Sequence, residues 1–289
     1  MINRIMKYAG DKALKTDLAR LDLSRLPEEV TEIIDVSYID DEDPGHKFDV
    51  YLKKDGKIKP ILIDIHGGGF ISEDKSMCRL WANYMALQGF TVFEINVRLA
   101  YPEITVFDQI KDISTAVSFI LENIDRYECD KDQLYIAGHS SGGVLALAET
   151  MLSIDPDMQA AYGITGRDYS YKGLITDCGL MHFYKGSIAY WGMRKMIFPK
   201  GYKQDIRYKF LINGENDKIA DLPKVCLITN RKDILRKMTY HFDSVLTKNK
   251  VTHQMFTEGA DGHTGIIFVP YKEHNLETLK KIRDYLLLE

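Results

Sequence analysis

A short stretch near the middle of the chain leaves few folds open. Leu134-Tyr135-Ile136-Ala137 has the apolar run of a buried strand, Gly138-His139-Ser140-Ser141-Gly142 follows as a tight turn, and Val144-Leu145-Ala146-Leu147-Ala148 continues with helix-forming residues. The pentapeptide fits G-x-S-x-G with Ser140 at its centre, and strand–turn–helix is the setting in which that pattern lifts a serine oxygen above the edge of a sheet. Such a turn tolerates little bulk, which accounts for Gly138 and Gly142. A glycine-rich turn with an incidental serine would share this pattern, so the reading depends on what else the chain carries.

Upstream, Pro60-Ile61-Leu62-Ile63-Asp64-Ile65 reads as a second buried strand, followed by His66-Gly67-Gly68-Gly69-Phe70. Glycines after a strand let several backbone N–H groups point into one small volume, where they can stabilise an oxyanion that develops in a transition state. A phosphate loop is the competing reading, but the chain has no G-x-x-x-x-G-K-[ST] and no G-x-G-x-x-G with a following acid. Downstream, Asp233 lies four residues beyond the strand pattern 223–229, and His263 sits in the loop Gly259-Ala260-Asp261-Gly262-His263 after the strand pattern 250–256. Serine, acid and histidine thus follow in the chain order that this architecture uses. Both loops fall at the carboxyl edge of a sheet, where α/β folds place their sites.

Other candidates were weighed for each role. Asp177 also ends a strand and rivals Asp233 as the acid, while Asp261 is near His263 in sequence but is expected to point elsewhere. His253 lies within a strand pattern, His66 belongs to the glycine loop, and His139 should point away from its serine neighbour. His46, His182, His241 and His274 carry no motif and read as surface or packing residues.

Taken together these segments resemble the hormone-sensitive-lipase-like group of α/β-hydrolase esterases. His66-Gly67-Gly68-Gly69-Phe70 is similar to its HGGG loop, and Gly138–Gly143 to its GDSAGG elbow, with His139 and Ser141 in place of Asp and Ala. Thr229–Leu235 resembles its acid segment, Gly262-His263-Thr264-Gly265 its histidine segment, and Asn96–Pro102 its Tyr-Arg-Leu-Ala-Pro run. The resemblance spans roughly residues 48–289 and implies an α/β-hydrolase fold with serine chemistry. It implies Ser140, Asp233 and His263 as catalytic residues, the N–H groups of Gly68, Gly69 and Ser141 as oxyanion donors, and no metal or organic cofactor. It also implies a cap from an amino-terminal segment, about 1–30, and an insertion at about 180–222.

Composition narrows the remaining choices. A chain of 289 residues suits one large α/β domain, and with a net charge of −4 and interspersed charges it has no basic stripe for nucleic acid. No apolar stretch approaches the ~20 residues of a membrane span, and the amino-terminal residues lack the apolar segment of a signal peptide. Cys78, Cys129, Cys178 and Cys226 show no metal-binding spacing and read as reduced thiols of a cytoplasmic protein. The acidic run Asp40–Asp43 lacks calcium-loop spacing and reads as a solvated turn.

Strand patterns at 32–39, 48–52, 60–65, 91–97, 133–137, 171–176, 224–229 and 250–256 alternate with helical ones at 76–88, 105–124, 141–153, 232–248 and 273–287. This predicts a mostly parallel sheet covered by helices on both faces, with an antiparallel edge made by the first two strands. Leu14, Leu18 and Leu21 recur at helical spacing. The insertion is rich in large side chains: Phe183, Tyr184, Tyr190, Trp191, Met193, Met196, Phe198, Tyr202 and Tyr208. These either wall a substrate pocket or pack the insertion onto the sheet. The expected activity is serine carboxylesterase action on short, acetyl-like esters, with an amide cleaver or a catalytically silent receptor on the same fold as alternatives. The expected partner is a small-molecule ester, without nucleic acid or membrane; self-association as a homodimer is compatible with the sequence.

Overall fold

A computed structural model describes residue 12 and residues 14–288, apart from 102, 184–187, 212–215 and 258. Eight strands form one sheet: β1 Thr31–Ser37, β2 Lys47–Leu52, β3 Lys59–Ile65, β4 Thr91–Ile95, β5 Cys129–His139, β6 Gly173–Asp177, β7 Lys224–Ile228 and β8 His253–Phe256. Their order is β1-β2-β4-β3-β5-β6-β7-β8. β1 and β2 pair antiparallel and β2 joins β4 antiparallel, whereas every pair from β4 to β8 is parallel. The chain is therefore a mostly parallel α/β sheet with an antiparallel edge, as its alternating patterns predict.

The helices are α1 at residues 14–18, α2 Arg79–Leu87, α3 Val106–Glu122, α4 Ser141–Ile154, α5 Pro156–Tyr162, α6 Ile188–Ile197, α7 Ile206–Phe210, α8 Arg236–Lys248, α9 Gly265–Phe268 and α10 Glu273–Leu287. Strand side chains alternate between two cores, because successive residues point to opposite faces. Ile61, Ile63 and Ile65 pack with Ile113 and Val117 of α3, Val144 of α4 and Phe242 of α8. Leu62, Val92 and Ala137 pack on the other face with Trp81 and Met85 of α2 and Leu279 and Ile282 of α10. Leu14, Leu18 and Leu21 lie against this second core. The apolar spacing at the amino end therefore seats that segment on the α2–α10 side.

Several boundaries differ from the sequence reading for local reasons. β5 begins at Cys129 because Cys129 and Asp130 pair with Lys59 and Pro60 ahead of a register shift. Residues 75–78 are a tight 3-10 turn capped by Asp74, so α2 starts later than its apolar pattern does. α8 starts at Arg236 because residues 230–235 are occupied by a turn that carries Asp233. In the insertion, Phe183, Phe198 and Tyr208 are buried in the first core. Tyr184 lies outside the described residues, as do the side chains of Tyr190 and Trp191, and Pro102 and Glu258. Among the described residues no helix is long and apolar enough to cross a membrane.

Candidate active site

Ser140 stands between the end of β5 and the start of α4 with φ 52° and ψ −116°. This is a costly conformation for a residue with a side chain. Three backbone bonds hold it there: Ser140 N–H donates to Asp177 O at 2.9 Å, and Ser140 O accepts from Gly143 N–H at 3.1 Å and Leu180 N–H at 2.7 Å. The turn also brings α4 against the end of β3. A Cβ on Gly142 would lie 2.3 Å from Ile65 O, so only glycine permits the approach.

His263 Nε2 lies 2.8 Å from Ser140 Oγ, and its Nδ1 lies 2.8 Å from Asp233 Oδ1. These partners assign the neutral tautomer: Nδ1–H donates to the carboxylate and Nε2 accepts from the serine hydroxyl. Burial pushes the Asp233 carboxyl up, but hydrogen bonds from His263, Thr229 Oγ1 (2.6 Å) and Leu235 N (2.8 Å) outweigh it and hold the group below the usual carboxylate range. Asn230 Nδ2 donates to Gly262 O at 2.7 Å and ties the acid loop to the histidine loop.

The glycine loop passes beside the serine. Gly68 has φ +91°, and a Cβ there would fall 1.8 Å from Ser72 O, so the position requires glycine. Among the described residues no acceptor takes the N–H of Gly68 or Gly69. Ser141 is the first residue of α4, where a helix leaves its N–H groups without an intrahelical partner. The loop is fixed at Phe70, whose N–H donates to Ser141 Oγ at 3.3 Å and whose carbonyl accepts from Ala100 N at 2.7 Å and Gln109 Nε2 at 2.9 Å. Arg98, in the Asn96–Pro102 run, holds Asp112 through Nη2 at 2.6 Å.

The rival residues are engaged elsewhere. Asp177 presents its carboxylate to His139, not to His263. Asp261 pairs with Lys272 and His274. His253 bonds Asp243 and Val251 O. His46 is buried beside Asp41 and Asp112, and His182 meets His241 edge to face at 4.9 Å. His66 Nδ1 lies 3.0 Å from Gly67 O, and burial pulls its ring below the ordinary histidine range.

Among the described residues two groups bring potential metal ligands together, Asp64 with Cys78 and His139, and Cys178 with Asp233 and His263. In each group both histidine nitrogens already face oxygen partners, and burial pushes the Cys78 and Cys178 thiols up, away from the thiolate that a metal needs.

The sequence reading missed Glu73. Its backbone has φ +69°, and its Oε2 and Ser140 Cβ lie 3.6 and 3.2 Å from the point where a Cβ on Gly67 would stand. Burial, reinforced by the charge and side-chain hydrogen bond of Asp17, raises this carboxyl to about 7; a positive charge on His263, in its protonated form, opposes the shift. No motif marks such a residue, because the fold alone brings the 73–74 turn beside the serine.

An eight-stranded α/β sheet with a serine on a strained turn at the end of β5, and a histidine and acid on later loops, defines an α/β-hydrolase. Residues 48–185 match the BD-FAE family model. A probable isoprenylcysteine alpha-carbonyl methylesterase from Oryza sativa is 31% identical over 111 residues, covering 38% of this chain and 27% of that protein. Esterase LipC of Mycobacterium tuberculosis is 30% identical over 122 residues, covering 41% of this chain and 30% of its own length. The chain thus spans less than a third of the length of these two relatives. Among solved structures, esterase B from Lactobacillus rhamnosis superposes with a TM-score of 0.87 at 22% identity, covering 98% of this chain and 93% of that one. A hyperthermophilic esterase from Pyrobaculum calidifontis gives 0.76 at 20% identity, covering 97% and 92%. The chain has the α/β-hydrolase fold of these solved structures.

Proposed function

We propose that the protein is a serine esterase that cleaves short-chain, acetyl-like esters of small molecules through an acyl-enzyme. The observation that carries this reading is the continuous contact from Asp233 through His263 to Ser140, at 2.8 Å in each step. Ser140 Oγ attacks the ester carbonyl while His263 Nε2 takes its proton. The N–H groups of Gly68, Gly69 and Ser141 receive the oxyanion, and His263 returns the proton to the departing alcohol. Water then adds to the acyl group by the same route, and Asp233 steadies the imidazolium in both halves. Every proton and electron pair in this cycle is handled by the chain and the substrate.

Two features favour small esters. LipC is called an esterase, and further structures of Lactobacillus esterase B are described with C6-C4 and C4-C4 (tributyrin phosphonate) inhibitors. In addition, the aromatic cluster Phe183–Phe198–Tyr202–Tyr208 meets Phe70 of the glycine loop through Phe183 at 5.8 Å. The insertion therefore borders the oxyanion side, as a cap limiting acyl length would. The four cysteines are free thiols, which suits a reducing compartment such as the cytoplasm.

Hydrolysis of p-nitrophenyl esters from acetyl to long acyl, with Ser140→Ala alongside, tests the reading. Turnover should be confined to short chains and fall by roughly 10⁶-fold in the variant. Wild-type turnover in Ser140→Ala would remove that serine from the mechanism.

A further inference from the structure

We infer that His139 is a positioning residue for the proposed reaction: a buried imidazolium clamped between Asp64 and Asp177 that locks three strand ends beneath Ser140 and sets the alkaline limit of turnover. The inference rests on the serine-hydrolase reading above.

His139, next to the serine, turns its side chain to the opposite side of the sheet. Its Nδ1 lies 3.0 Å from Asp177 Oδ2, and its Nε2 lies 3.1 and 3.3 Å from the two oxygens of Asp64. All three side chains are inaccessible to solvent or nearly so. A neutral imidazole donates from one nitrogen only and would set its other lone pair against a carboxylate. With both carboxylates ionised, only the doubly protonated ring satisfies both partners.

The other titratable groups around the ring are Glu94 on β4, Cys78 ahead of α2 and His66 after β3; Trp81 packs edge-on against the ring at 5.0 Å. Burial and the neighbouring Asp64 charge push the Glu94 carboxyl well above its ordinary range, and burial pushes the Cys78 thiol up likewise. Burial pulls His66 down. Two carboxylates and one imidazolium remain charged. Burial also disfavours the His139 cation, but Asp64 and Asp177 outweigh it and raise the ring to about 10.

This cluster belongs to a polar row that runs across the sheet. Asp49 pairs in register with Glu94, Glu94 with Asp64, and His139 with Asp177. The row grips the backbone that carries the chemistry. Asp177 supplies the carbonyl that binds Ser140 N–H, and Asp64 is two residues ahead of the glycine loop. The ring thereby fixes the serine relative to Gly68 and Gly69. Loss of its proton leaves two buried carboxylates facing a neutral ring and loosens both strand ends.

The test uses Asp64→Asn, which keeps the side-chain shape and removes one of the two charges that hold the proton. The alkaline limb of the kcat–pH profile should move down by at least about one pH unit, because a lost neighbouring carboxylate lowers a histidine's proton affinity by that order. The acid limb should stay in place, and KM should change little. His139→Gln should lower kcat roughly 10²-fold through misplacement of the serine. The charge is read directly by ¹⁵N-histidine NMR of the wild type at about pH 8.5, where an unperturbed histidine is neutral. The His139 ring is identified by its loss in His139→Gln or, should that variant not fold, by its shift in Asp64→Asn; it should show two protonated nitrogens. A neutral ring there, or an unmoved alkaline limb in Asp64→Asn, overturns the inference. If the wild type hydrolyses no ester, the serine-esterase reading fails, and the NMR result still decides the charge of His139 independently.

Discussion

At the scale of single residues, the site separates acids that share a chemical type by what surrounds them. Asp233 and Asp177 both follow strands, and both reach an imidazole within 3.0 Å, but only Asp233 faces the histidine that touches Ser140. Asp233→Asn should therefore lower kcat by about 10⁴-fold, because an amide favours the wrong tautomer of His263. Asp177→Asn should instead weaken the hold on His139 and reproduce the alkaline shift expected of Asp64→Asn. Steady-state rates of the two variants across pH distinguish these outcomes. Glu73 is the third acid, raised by burial to about 7 while Asp233 is held low. Its ionisation puts a negative charge beside His263 and Ser140 near neutrality, so kcat/KM should show an inflexion near pH 7 that Glu73→Gln removes. The sign for stability follows from the raised value. The protonated form is favoured by the fold, its contribution is fully present below the unfolded value near 4.5, and it is lost as pH rises through about 7. Glu73→Gln should accordingly raise Tm at pH 8 relative to the wild type and leave it unchanged at pH 4.5, as read by thermal melts.

At the scale of elements, what was legible in the sequence is what local chemistry writes into neighbouring residues. The elbow, the glycine loop and the eight strand patterns are short-range signals, and each falls within a few residues of its observed place. The helix Pro156–Tyr162 was not among the expected elements, although Asp155 caps it and Pro156 takes its first helical position. The four-residue helix after Thr264 was not legible, since it depends on a left-handed threonine with φ 50°. The clamp around His139 was equally hidden. Its members come from β3, β5 and β6, and only sheet pairing makes Asp64, His139 and Asp177 neighbours. The insertion adds a caution about deletions. Phe183 and Phe198 are core residues, and Phe198 packs on Phe107 at 5.4 Å, so removing 182–221 would uncover the main core as well as any cap. A point change separates the two effects. Phe198→Ala should cost about 3–5 kcal/mol, the usual loss for a buried aromatic, measured as a lower midpoint in urea. Tyr202→Ala, in the partly buried rim of the same cluster, should alter the acyl-length profile with a smaller stability cost.

At the scale of the whole molecule, the buried ionisable groups give the fold a preferred pH range that the small net charge would not suggest. Asp233, like the paired Glu32 and Asp205, is held below its ordinary value, so its contribution is present above the carboxylate range and lost as pH falls through it. Glu149 on α4 works in the opposite sense. Burial raises it to about 7 despite hydrogen bonds from Tyr169 and Tyr171, so its contribution is complete below about 4.5 and lost as pH passes 7. His139 is raised to about 10, and its contribution is complete below the ordinary histidine value of 6.5 and lost on the way to 10. Only between roughly pH 4.5 and 6.5 are the lowered acids ionised while Glu149, Glu73 and His139 still hold their protons. Tm measured by calorimetry should peak near the lower edge of that window and decline from there in two overlapping stages as pH rises. The first stage, between about pH 4.5 and 7, should shrink in Glu149→Gln, and the second, between about pH 6.5 and 10, should be smaller and end at lower pH in Asp64→Asn. A single-stage alkaline decline insensitive to both substitutions would show that the buried row does not govern stability.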